Sequence, residues 1–96
     1  MSLRLQLDIV PTLEEDMIDC LLGIDSLVSF SSYEVRRHGD GENLSTLEKV
    51  TGRARVLRFD IVLEERQISE IVRKIGEEVG KGIPYSISPI HEHGIL

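Results

Sequence analysis

The sequence predicts an α+β domain in which a four-stranded antiparallel sheet carries two helices on one face. Three observations predict it. Four segments have strand patterning, two have the apolar stripe of amphipathic helices, and along the chain they run strand, helix, strand, strand, helix, strand. At 96 residues the chain closes one core, so a single domain over 1–96 is expected. A domain this small buries only about 60–65% of the surface its unfolded chain exposes, so it gains from oligomerisation.

LRLQLDIV, residues 3–10, sets Leu3, Leu5, Leu7 and Ile9 on one face against Arg4, Gln6 and Asp8 on the other, the period of a half-buried strand. Pro11 ends it. Thr12 and Glu15 have capping-box spacing, and Glu14, Glu15 and Asp16 suit the positive end of a helix dipole. A helix of about 12 residues follows, with Leu13, Met17, Ile18, Leu21 and Leu22 as its apolar face and Gly23 as its stop. SFSSYEVRRHG, residues 29–39, is a polar strand whose apolar members are Phe30, Tyr33 and Val35, and it is expected at an edge.

RARVLRFDIVL, residues 53–63, alternates with Leu57, Phe59, Ile61 and Leu63 on one side and Val56 and Val62 on the other, which predicts a central strand covered on both faces for part of its length. Ile68, Ile71, Val72, Ile75 and Val79 then form the stripe of a helix packed on a sheet. Gly80 and Gly82 release the chain into IPYSISPI, a short strand whose Pro84 and Pro89 confine it to an edge or a bulge. Two strand–helix–strand halves of this kind give the ferredoxin-like βαββαβ arrangement.

Composition narrows the partners. The net charge of -6 argues against nucleic acid, and no apolar run reaches the roughly 20 residues of a membrane span. No secretory leader is expected, since Met1 leads straight into an alternating segment, and the single Cys20 points to a reducing, cytoplasmic setting. The charge is uneven: Arg36, Arg37, Lys49, Arg53, Arg55 and Arg58 outnumber Asp40, Glu42 and Glu48 in the central segment.

Several stretches resemble the PII family of small trimeric signalling proteins. LDIVPTLEEDMIDCLLGID resembles its first strand and helix, SYEVRRHGDGENLSTLEKVTGRARVLRFDIVLEE its second strand, long loop and third strand, and IPYSISPI its last core strand. The resemblance implies a homotrimer that regulates a protein partner. The family's nucleotide loop and arginine-rich C-terminal segment correspond here to EEVGKGIPY and HEHGIL, which keep Gly80, Lys81 and Gly82 and lack the arginines. It therefore implies a divergent PII-like protein, related to those of heavy-metal export or to the divalent-cation-tolerance trimers, with a membrane transporter as a candidate partner, rather than a standard ATP and 2-oxoglutarate sensor.

The segment GDGENLSTLEKVTG, residues 39–52, is either a surface loop with a helical turn through Leu44, Leu47 and Val50 or a partner-docking loop presenting those three residues. Arg36, Arg37, Arg53, Arg55 and Arg58 are either bidentate anion ligands or charges that blunt an exposed edge, and Lys81 between two glycines is a further anion contact. In the tail SPIHEHGIL, a strand continuing to the end would aim His91 and His93 to one face as ligands for a divalent transition metal, with His38, Asp40, Glu42 and Cys20 as candidates for the rest and His38 within reach only across a subunit interface. The alternatives are a solvated tail or a pH-responsive contact. Cys20 reads as a small half-buried hydrophobe. No arrangement for nucleophilic or acid–base catalysis stands out, so no enzymatic activity is expected.

Overall fold

The computed structural model describes residues 1–27, 29–38 and 54–96. Strand β1 (Ser2–Ile9) leads through a 3-10 turn (Pro11–Leu13) into helix α1 (Glu14–Leu22). Strands β2 (Phe30–Arg37) and β3 (Ala54–Glu64) follow, then a second 3-10 turn (Glu65–Gln67), helix α2 (Ile68–Glu78) and strand β4 (Tyr85–Pro89). The strands form one sheet in the order β2-β3-β1-β4, with every neighbouring pair antiparallel. This is the ferredoxin-like α+β fold expected from the pattern, with β1 and β3 inside and β2 and β4 at the two edges.

The core follows from the alternation. Leu3, Leu5, Leu7 and Ile9 of β1 are buried together with Leu57, Phe59, Ile61 and Leu63 of β3. Residues directly opposite in a ladder share a face, and the pairs Leu5↔Ile61 and Leu7↔Phe59 put both sets on the same one. Met17, Cys20 and Leu21 of α1 and Ile71 and Ile75 of α2 close that core. Phe30 reaches it from the edge strand, its ring 6.1 Å from that of Phe59.

Four local readings change. Thr12 and Glu15 form no capping box: Pro11 opens a 3-10 turn, which takes Thr12 into that turn and leaves Leu13 as the N-cap of α1, with no side-chain bond. The capping box lies instead at the second turn, where Glu64 and Gln67 bond reciprocally ahead of α2. Leu22 points outward and is 69% exposed, whereas Cys20 is buried at 4%. The last strand stops at Pro89, which cannot donate to a ladder, so His91 and His93 lie beyond it and have no shared strand face.

Candidate functional site on the open sheet face

The two helices cover one side of the sheet, and the polar side chains of the inner strands occupy the other. Across that second face the registers set Tyr33, Arg58 and Asp8 in one row and Ser31, Asp60, Gln6 and Ser86 in the next. Asp8 is the hub of the first row. Arg58 donates to it through Nε at 2.8 Å and through Nη2 at 3.1 Å. Arg37, the last residue of β2, reaches over β3 and donates from Nη1 at 2.8 Å. One carboxylate thus ties three strands together where the chain leaves for the segment after β2.

The charges in this cluster hold one another. The Asp8 side chain is 11% exposed, against 31% and 30% for Arg37 and Arg58. The hydrogen bonds to Asp8 raise the Arg58 guanidinium beyond its already high ordinary range, so the fork stays charged at every accessible pH. In the adjoining row Tyr33 donates its hydroxyl to Asp60 Oδ2 at 3.0 Å. Partial desolvation and that bond push the Tyr33 phenol up. Asp60 Oδ1 is buried without a hydrogen-bond partner among the described residues. Beside the cluster a hollow of about 230 Å³ is lined by Gln6, Asp8, Arg37, Arg58, Pro84, Tyr85 and Ser86.

The predicted anion ligands divide between the two faces. Arg36 and Arg55 stand directly opposite each other on the helix side of the sheet, both exposed, whereas Arg37 and Arg58 belong to the open face. Lys81 is exposed in the turn between α2 and β4, and Gly82 after it takes φ 75, a left-handed value that glycine adopts without strain. The end of β2, the start of β3 and the start of β4 all lie at one pole of the sheet, so Arg36, Arg37, Arg55, Arg58 and Lys81 share that end. Arg53, Leu44, Leu47, Val50, Asp40 and Glu42 lie outside the described residues. Asp8 does not stand out by type; its signal in the sequence is that it is the single acid on the polar face of β1.

The histidines are held apart. His38 follows β2 at the arginine pole, while His91 and His93 follow β4 at the opposite pole and on the opposite edge, so one subunit cannot join them. Among the described residues no three His, Cys, Asp or Glu side chains are grouped for a metal ion. A site using all three histidines would need a second subunit. His93 Nε2 instead sits 3.1 Å from Ser2 Oγ, and Ser2 donates to Glu64 Oε1 at 3.1 Å. The Ser2 hydroxyl, with help from the Met1 amino group, draws the Glu64 carboxyl below its ordinary range. Among the described residues no helix is long and apolar enough to cross a membrane.

Comparison with known proteins agrees with this geometry. The family described as "Protein of unknown function (DUF3240)" matches residues 1–96. A DUF3240 family protein from Shewanella baltica OS155, solved at 2.40 Å, superposes with a TM-score of 0.80 over 99% of this chain and 96% of its own, at 19% identity. Arabidopsis thaliana PII bound to citrate superposes with a TM-score of 0.70 over 93% of this chain and 74% of its own, at 14% identity. No curated protein matches the sequence.

Proposed function

The chain belongs to the DUF3240 family, and from its geometry we propose that it is a non-enzymatic, cytoplasmic regulator that works as a PII-like homotrimer. A small anion held in the clefts between subunits biases the segment between β2 and β3 toward or away from a protein partner. The observation that carries this reading is the face of the sheet that the two described helices leave open. Among the described residues it leaves Val62 39% and Tyr33 42% exposed and a buried Asp60 oxygen without a donor. Beside it, among the described residues, β4 is unpaired along its outer edge, with Tyr85 and Ile87 exposed. A second copy laid on this face and edge covers apolar surface and supplies the missing donor.

The gathering of Arg36, Arg37, Arg55, Arg58 and Lys81 at the pole from which the 39–52 segment departs supports an anionic ligand for the switch. A membrane transporter of a heavy-metal export system is the partner class that fits the resemblance to PII-like proteins. Light scattering tests the assembly first: a mass three times the 10.8 kDa of the chain is expected. A chain that remains monomeric at tens of micromolar has no intersubunit cleft, and the reading falls.

A further inference from the structure

Deepening the homotrimer reading and resting on it, we propose that the outer edge of β4 receives residues 91–96 of a second copy of this chain as an added, short strand. The exchange runs head to tail around the ring, each copy giving its tail to the next.

Backbone direction comes first. Asp8 N–H donates to the Pro84 carbonyl and Ile90 N–H to the Ser2 carbonyl, both at 3.1 Å. In an antiparallel ladder only every second residue turns its backbone toward a given neighbour, so Pro84, Ser86, Ser88 and Ile90 face β1. Tyr85, Ile87 and Pro89 therefore face outward. Among the described residues no strand pairs there, which leaves the N–H and C=O groups of Tyr85 and Ile87 and the Pro89 carbonyl for an added strand.

Composition singles out this edge. At the other edge β2 carries Glu34, Arg36 and Arg37, charges of the kind that deter strand addition, whereas residues 83–90 carry none. Tyr85 and Ile87 stand opposite Leu7 and Leu5 on the core side of the sheet, yet both are exposed, so apolar side chains lie beside the free backbone. Pro89 closes the run and keeps any pairing short.

The tail has matching properties. Residues 91–96 form no helix or strand, and Ile95 and Leu96 are fully exposed. Extended at about 3.3 Å per residue, the segment reaches about 20 Å, more than the roughly 13 Å from Tyr85 to Pro89. It does not return to its own edge: the Ile90 bond and the 3.1 Å contact of His93 Nε2 with Ser2 Oγ hold it against the start of β1. The receiving edge is a neighbour's, where Ile95 and Leu96 gain the cover they lack.

Amide exchange read by NMR on the full chain, with light scattering on the same samples, tests the pairing. In the wild type the Tyr85 and Ile87 amides are expected to exchange at least about tenfold more slowly than in the double variant Ile95→Asp with Leu96→Asp, which alters only fully exposed side chains. That variant is also expected to need about tenfold more protein to assemble. Ile87→Lys, which puts a charge on the receiving edge, is expected to weaken assembly likewise. Equal exchange in wild type and double variant overturns the pairing, whether both are fast, which leaves the edge open, or both slow, which gives it another occupant. Mass separates the two ideas. A wild-type trimer with equal exchange removes only the tail pairing, a wild-type dimer whose protection vanishes in the double variant removes only the trimer, and a monomer removes both.

Discussion

At the scale of single residues, what holds the fold and what the open face offers are separable. Phe59 has no exposed surface and packs against both edge and inner strands, so Phe59→Ala is expected to cost about 3–5 kcal/mol in urea unfolding through lost burial and the cavity left behind. Cys20 gives a chemical readout of the same core. Burial first, and then the Glu78 carboxylate, raise the thiol against a smaller opposing pull from Lys74. The folded thiol keeps its proton at a pH where the unfolded one ionises; the contribution to stability is therefore present below the ordinary thiol range and is lost as pH rises through the folded value. A thiol-specific reagent at mildly alkaline pH is expected to label Cys20 slowly in the native protein and fast in urea. Rapid labelling without urea would mean that α1 does not seal it. The Asp8 cluster is a different matter, because its charges sit at the surface of the sheet, where they fix side-chain direction more than they add stability.

Helix starts distinguish two segments that look alike in the sequence. Thr12 has the spacing of a cap but sits inside the Pro11–Leu13 turn, so Thr12→Ala is expected to leave stability within about 0.5 kcal/mol of wild type. Gln67 closes a real reciprocal cap with Glu64, and Gln67→Ala is expected to cost about 1 kcal/mol. Parallel melts of the two variants decide the matter; equal losses would contradict the assignment. This pair also shows what was legible. Strand and helix identities were readable because alternation and the Ile71–Ile75 stripe are dictated by burial, which acts on many residues at once. The spacing of Thr12 and Glu15 does not reveal the cap, because a proline one position ahead decides it. The site was half readable: the arginines stood out by type, yet which face each takes depends on the parity of pairing between β2 and β3, and Asp8 gains its role only when β1 is seated beside Arg58.

For the molecule as a whole, the question is what lies on the face that the two described helices leave open. Val62 lies there, in the row of Arg4 and Ser88, and is 39% exposed in a single chain. A charge at that position costs an isolated domain little and a packed interface much. Val62→Asp is expected to fold with unchanged circular dichroism and to run as a monomer, whereas the proposed assembly has the wild type running as a trimer. A trimeric Val62→Asp would place the contacts between copies elsewhere.

The strand order also governs the way the chain is made. Among the described residues, strand β1 pairs only with β3 and β4, and β2 only with β3, so β1 and β2 have no strand partner until Ala54–Glu64 arrives between them. Their apolar side chains lack a strand partner until then, and joining β1 to β3 is a long-range step. Nascent copies are therefore most prone to stick to one another just before β3 emerges, and the polar composition of β2 lessens that risk.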